Sequence, residues 1–494
     1  MHRADPLSPA ADRTLRILAL VLCLVAACFL CVQPQTSNDF WLQAKVGEWI
    51  VQSRSIPETL VFPFTQAQDF PFHAHEWLAS LLFHGLVQLA GEDALPLWLG
   101  LLGCVFFALA YRLALLRSPG NRALAAVCAL CALVLENFRH FLRPELLALL
   151  LFCALLHTLE RLQAGRLRRQ GLAVFACTAL WANVHGSFVL APMLVGIYLL
   201  GPHVDRALGR MPDGPKPLPW AHGAGLMLLC CGALLLNPSG WNLLIFALSF
   251  GASDFVRQNI VEWFPALDPR LRHILGVQLA LAGACALLAL CACYARRLRS
   301  ADLLLLALVL ALSWRANRFL VYVPVCWVLL FPQALASTLY ARQTGLWRCC
   351  CALALATVLL CLRFGNVNGN HPYSSSAWGQ LNAGMRQVLE NAELRGNVLC
   401  SYDFGAELVY RAYPRMRPSI DSRIDSYGEV YYAQHEALLH DAAALSAFLQ
   451  RYGVQWMLLT TTDADDMLRS HALVEPGWTL YARSGQALLL HHSP

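Results

Sequence analysis

Asp39 stands seven residues beyond an apolar run that ends at Val32, in the sequence Asn38-Asp39-Phe40-Trp41. A carboxylate held among apolar neighbours at a membrane surface can act as a general base, because desolvation lifts its pKa toward the working range. A solvated charge within an interfacial aromatic belt fits the same residues. Arg143, Arg315 and Arg318 offer the complementary chemistry. A planar guanidinium matches a phosphate and is hard to keep near lipid without an anion, unless it snorkels to headgroups. His75 with Glu76, and Asn183 with His185, add groups that could orient a polar ligand or satisfy helix ends. Asp421, Arg423 and Asp425 recur at period two within Ile420 to Gly428. On a strand end they would share one side, able to hold a sugar or to close on themselves as ion pairs. The chain contains no GxGxxG, Walker loop or HExxH, so no cofactor is expected. A divalent cation is compatible with this chemistry, although no carboxylate cluster at ligand spacing marks a site for one.

The elements that must position these groups lie in a membrane. Of the 494 residues 57% are hydrophobic and 14% charged, with a mean hydropathy of +0.49. An ordinary soluble domain has about 45–50% apolar and about 25% charged residues. The net charge of +6 is dispersed over short loops, which leaves no footprint for nucleic acid. Of the 19 cysteines, 18 fall in apolar runs and only Cys400 in the tail, so neither a disulfide framework nor a zinc site is implied. The first run, Thr14 to Val32, follows Arg3 and Arg13 and lacks a small-x-small cleavage site, and is read as a retained span rather than a signal peptide.

Segments 14–32, 95–116, 123–138, 142–160, 171–184, 187–201, 222–237, 274–294, 301–314, 317–338 and 347–362 read as crossings, with 76–91 as a re-entrant or interfacial helix. Several are shorter than the roughly 17–25 residues that cross unaided. Loops on one side then carry 18 arginines and lysines against nine on the other. The basic side is expected to be cytoplasmic, with the N-terminus on it and the tail outside. The first outer loop, 33–75, holds too much aromatic surface to stay in water and is expected to fold onto the membrane domain.

After a Gly/Asn/Ser-rich linker at 365–376, strands at 397–402, 418–421 and 455–461 alternate with helices at 404–413 and 432–451. A hairpin of 478–483 with 486–491 turns at Ser484-Gly485. The fold class is therefore a polytopic α-helical membrane protein of about 11–13 spans over residues 1–363, followed by a small extracytoplasmic α/β domain over 364–494.

The order of these pieces resembles the GT-C class of polytopic glycosyltransferases, which includes the protein O-mannosyltransferases and the lipid A aminoarabinose transferases. Asn38-Asp39-Phe40-Trp41, Gly47-Glu48-Trp49-Ile50, Ile56-Pro57, Pro63-Phe64-Thr65 and His75-Glu76-Trp77-Leu78 look like the first-loop pattern of a large bacterial group within that class. Arg143-Pro144, Trp181 to Gly186, Asn237-Pro238, Arg318-Phe319 and Ile420 to Gly428 resemble its later landmarks, so the likeness covers nearly the whole chain. Two features depart from other GT-C members: Asp39 is not followed by a second acid, and His75-Glu76-Trp77 stands where Lys-Pro-Pro or His-Pro-Pro opens the 76–91 helix.

The resemblance implies an enzyme of the outer face of a bacterial cytoplasmic membrane. It would transfer a hexose or pentose from a polyprenyl-phosphate-linked donor to a glycan, lipid or protein acceptor in the envelope. Asp39 would deprotonate the acceptor, Arg143 and Arg318 would stabilise the leaving phosphate, and His75 and Glu76 would position donor or acceptor. Asn183, His185, Arg315, Asp421, Arg423 and Asp425 complete the expected binding residues. A transporter or flippase of lipid-linked sugar would instead call for polar groups on both sides and an internal repeat, neither of which is seen. An assembly protein would make Asp39 dispensable and the tail essential.

Overall fold

The computed structural model describes residues 9–32, 37–162, 167–210, 214–339, 343–364, 381–469 and 477–492, so the linker expected at 365–376 lies outside the described residues. The chain divides into two compact units. One is helical and contains the first helix, residues 93–247 and the segment from 256 to 364. The other is an α/β unit that combines residues 37–92 and Leu248–Phe255 with the tail. This partition differs from one drawn on composition alone, because the first loop shares its core with the tail.

In the helical unit each of the eleven expected crossings is a helix, from Pro9–Cys31 to Gln343–Phe364. Six stretches among the described residues are long and apolar enough to cross a membrane: Pro9–Cys31, Glu92–Arg117, Gly186–Ala207, Leu275–Arg297, Asn317–Leu335 and Thr344–Leu362. A further helix, Gly240–Ala252, occupies part of the stretch read as an outer loop. Its apolar content is high, but Asn237-Pro238-Ser239-Gly240 reads as loop punctuation and hides where it starts. Polar caps set some boundaries, as where the Asn121 side chain accepts from the Leu124 amide at 3.0 Å and opens Arg122–Glu136. Charges stranded inside the apolar helices are paired. Arg117 lies 2.5 Å from Glu160 and 2.7 Å from Asp302, and Arg299 lies 3.0 Å from Glu160. Asp205 accepts from the Ser300 hydroxyl at 2.6 Å. These contacts tie together the ends of Leu95–Arg117, Pro144–Leu162, Leu190–Ala207 and Ser300–Arg315.

The α/β unit is built on a five-stranded sheet: β1 (Gly396–Cys400), β2 (Met416–Pro418), β3 (Val454–Thr460), β4 (Trp478–Ser484) and β5 (Ala487–His492), in the order β2-β1-β3-β5-β4. β1 runs parallel to β2 and β3, while β5 is antiparallel to β3 and forms the expected hairpin with β4. The helix expected over 432–451 is two, Ile424–Ala437 and Ala442–Tyr452, because the Asp441 carboxylate accepts from the amides of Ala443 and Ala444 and starts a new helix.

The first loop is largely ordered by this unit. It contains the helix Asn38–Ser53 and leads into Trp77–Ala90. Trp41 packs 4.9 Å from Tyr410, Phe62 5.1 Å from Tyr413, Phe64 6.2 Å from Phe448 and Phe70 5.7 Å from Tyr431, measured between ring centroids. The cover this aromatic surface requires is thus supplied within the α/β unit. Two glycines permit close approaches of backbone to backbone: a Cβ at Gly47 would meet the Ser80 carbonyl oxygen at 2.1 Å, and one at Gly405 the Ile420 carbonyl oxygen at 2.0 Å.

Candidate active site

The helical unit gathers arginines at one end of its bundle. Arg139 lies in the turn Asn137–Arg139 that closes one helix, and Arg143 directly precedes Pro144–Leu162, whose first turn carries Glu145. Proline suits that position, since the first turn leaves its missing N–H unneeded. Glu262 sits in the turn Val261–Trp263, and Arg318 in Asn317–Tyr322. The Asn317 side chain anchors these last two turns to each other by donating to the carbonyls of Val261 at 2.6 Å and Phe264 at 3.1 Å.

Arg139 Nη2 is 2.5 Å from Glu145 Oε2 and 3.2 Å from Glu262 Oε1, and Arg143 donates to the same Glu262 oxygen. Arg318 Nε is 3.7 Å from Glu145 Oε1, its Nη2 is 3.1 Å from His185 Nε2, and its guanidinium carbon lies 5.1 Å from the Trp263 ring centroid. Burial would raise the Glu262 carboxyl, but Arg139, Arg143 and Arg318 outweigh it and hold the group well below the usual carboxylate range. Three guanidinium groups therefore converge around Glu145 and Glu262, a concentration of donors suited to an anion.

A guanidinium has no lone pair, so His185 accepts from Arg318 through Nε2. His185 Nδ1 lies 2.7 Å from Ser187 Oγ and 3.2 Å from the Ser187 amide nitrogen, and Ser187 Oγ accepts from Trp181 Nε1 at 3.1 Å. Asn183 pins the turn bearing His185: its side chain donates to the Ala179 carbonyl at 2.8 Å, and Asn237 donates to the Ala182 carbonyl at 2.9 Å and to Asn183 Oδ1 at 3.3 Å. Arg315 is exposed at the end of its helix and stands outside this network.

The α/β unit gathers acids instead. Asp39 occupies the first turn of Asn38–Ser53, where the helix dipole favours a carboxylate. Glu76 Oε2 accepts from Gln43 Nε2 at 2.5 Å, and Glu76 Oε1 lies 3.6 Å from His75 Nε2. Burial would lower the His75 pKa, yet Glu76 and Asp425 raise it to about 9, so the ring is charged at neutral pH. Asp425 is raised by its own burial against the pull of His75. Tyr402 is driven far above its ordinary range by burial and by the charges of Asp39, Tyr432, Asp425 and Asp403, which shows these acids collected around one phenol. Asp403 itself is pushed to about 6 by burial and by Asp463.

The period-two reading of Asp421, Arg423 and Asp425 requires correction, because the strand ends at Pro418 and Asp425 lies in the first turn of Ile424–Ala437. Asp421 and Arg423 form a buried bidentate pair at 2.9 and 2.5 Å, with the guanidinium about 5 Å from the Phe62 and Phe72 ring centroids. Asp425 turns to His75 and Glu76. Sequence reasoning passed over Arg139, Glu145, Glu262, Tyr402 and Asp403 as site residues. Arg139 and Glu262 do stand in outer stretches where polar side chains adjoin aromatic ones, Arg139-His140-Phe141 and Glu262-Trp263, and that clustering was the available signal. Among the described residues no three His, Cys, Asp or Glu side chains are grouped to hold a metal ion.

No protein-family model and no curated protein sequence matches the chain. Solved structures do match it. The oligosaccharyltransferase of Archaeoglobus fulgidus, tethered to an acceptor peptide, aligns with a TM-score of 0.60 at 13% identity, over 97% of this chain and 74% of its own. ArnT from Cupriavidus metallidurans, bound to undecaprenyl phosphate, aligns with a TM-score of 0.56 at 15% identity, over 98% of both chains. The same archaeal enzyme in complex with an inhibitory peptide and a dolichol-phosphate gives 0.59 at 13% identity. The chain is a multi-pass membrane protein of the GT-C fold, with a small α/β region at its C-terminal end.

Proposed function

We propose that the protein is a glycosyltransferase that moves a sugar from a polyprenyl-phosphate-linked donor to an envelope acceptor on the outer face of a bacterial cytoplasmic membrane. The observation that carries this reading is the convergence of Arg139, Arg143 and Arg318 around Glu145 and Glu262, within a fold shared with structures bound to dolichol-phosphate and undecaprenyl phosphate. In the reaction the acceptor oxygen attacks the anomeric carbon, the bond from that carbon to the phosphate oxygen breaks, and the lipid phosphate departs with the bonding electrons. Asp39 takes the acceptor proton. The arginines stabilise the phosphate charge as it develops, and such groups act most strongly when preorganised. Glu145 and Glu262 provide that preorganisation, and His185 holds Arg318 in the fork. Charged His75, with Glu76 and Asp425, orients the hydroxyls of a bound sugar.

Donor-lipid binding tests this reading. Native mass spectrometry of the purified protein with undecaprenyl phosphate should show a bound lipid that is lost in an Arg143→Gln/Arg318→Gln variant. Equal retention by that variant would remove the arginines from the donor site.

A further inference from the structure

A cleft of about 190 Å³ opens in the α/β unit between Asn38–Ser53, Trp77–Ala90 and Tyr402–Ala412, away from every residue given a role above. Its polar lining comes from Glu48, His84, Gln88, Glu390, Tyr410 and Arg411. The volume falls below the roughly 300–1,000 Å³ of pockets for drug-sized ligands. It therefore limits the occupant to about one compact ring.

The charges in the lining are already compensated. Arg411 binds Glu92 through both terminal nitrogens at 2.7 and 2.5 Å and Glu390 at 3.0 Å, and Lys45 lies 3.1 Å from Glu48. An ionic ligand would have to break these pairs, whereas a neutral ligand need not. What the cleft presents to such a ligand is a mixture of fixed donors and acceptors beside the Tyr410 ring, which is itself braced 4.9 Å from Trp41. A ring bearing several hydroxyls, each both donor and acceptor and with apolar C–H faces, satisfies all of these features.

The geometry points to a carbohydrate subsite that takes one neutral, pyranose-sized sugar ring. Its assignment to the acceptor glycan rests on the proposed function, while the class of ligand rests on the cleft alone. A sugar held here would lengthen the contact with an extended acceptor and favour glycans over single sugars.

Saturation-transfer NMR on the full chain in lipid nanodiscs tests this, using the methyl glycosides of glucose, galactose, mannose and N-acetylglucosamine as probes. Transfer to at least one glycoside is expected, with a loss of about tenfold in Gln88→Trp, which fills the mouth from an exposed position, and a smaller loss in His84→Ala. Asp39→Asn, which under the proposed function stops sugar transfer, should leave this signal intact, so failure of the cleft and failure of the enzyme reading are distinguishable. Both cleft variants should keep the wild-type unfolding temperature. No signal from any glycoside, or an unchanged signal in Gln88→Trp, would overturn the subsite.

Discussion

Arg117, at one end of the helical unit, is enclosed by Glu160 and Asp302, and Arg299 completes a group of two arginines and two acids. At the other end Arg139, Arg143 and Arg318 meet around Glu145 and Glu262. Exposure differs too: the Arg117, Glu160 and Asp302 side chains are 1%, 4% and 0% exposed, with Arg299 at 22%, whereas those of Arg143, Arg318 and Glu262 are 23%, 17% and 13% exposed. Carboxylates sealed around an arginine hold helices together. Arginines that reach the outside can meet a ligand. Ionisable residues in membrane proteins are a reason to look for a site, but access to the outside decides which group is one.

Breaking the more enclosed end should have the largest effect. Arg117→Met leaves Glu160 and Asp302 buried beside each other with Arg299, paired to Glu160, as the remaining cation, and a loss of about 3–5 kcal/mol is expected. It should appear as a sharply lower unfolding temperature in detergent and less protein in the membrane. A variant as stable as the parent would show that this end is not the structural one.

The more open end should respond in the opposite manner. Arg143→Gln should fold normally but weaken donor use by about 10–100-fold, the range for one charged hydrogen bond. Arg318→Lys keeps the charge and loses the planar fork, so a rise in donor KM larger than any fall in kcat is expected. If Arg143→Gln costs stability rather than donor affinity, the two ends do not differ as described.

In the α/β unit a pH effect is expected from His75. Its pKa stands above the ordinary 6.5 at about 9, so its folded form binds the proton more tightly than the unfolded chain does. The resulting stabilisation is complete below about pH 6.5 and disappears as pH rises through about 9. Thermal unfolding between pH 7 and 9.5 should show this loss in the parent and a flatter profile in His75→Gln; identical profiles would remove the charged pairing with Glu76 and Asp425. The smallest effect is expected at Arg315, exposed beyond the cluster, where Arg315→Ala should change stability by no more than about 0.5 kcal/mol.

Much of this architecture was legible in the chain. Apolar runs mark helices because lipid forces the backbone to satisfy itself within each segment, and the eleven helices expected over residues 14–362 follow from that, six stretches among the described residues being long and apolar enough to cross. The strand at 455–461 and the hairpin at Ser484-Gly485 were readable from β-rich runs and a turn dipeptide. The Asp441 cap was hidden in an alanine-rich helical stretch, so two helices read as one. The site was legible residue by residue but not as a site. Arg143 and Arg318 stand out by type, yet Glu262, 119 residues beyond Arg143, becomes their partner only through folding. Likewise Asp403 and Tyr402 join Asp39 across more than 360 residues, and no local pattern announces such a pairing.

The role proposed for Asp39, removal of a proton from a sugar acceptor, meets one comparison directly: transfer of labelled sugar from a polyprenyl-phosphate donor pool to envelope acceptors by the parent and by Asp39→Asn at equal folded protein. The substitution keeps size and hydrogen-bonding capacity and removes the proton-accepting charge. A general base contributes roughly 10²–10⁴-fold to rate, so turnover should fall by that factor while undecaprenyl phosphate binding persists. Transfer by Asp39→Asn at the parental rate would contradict the account.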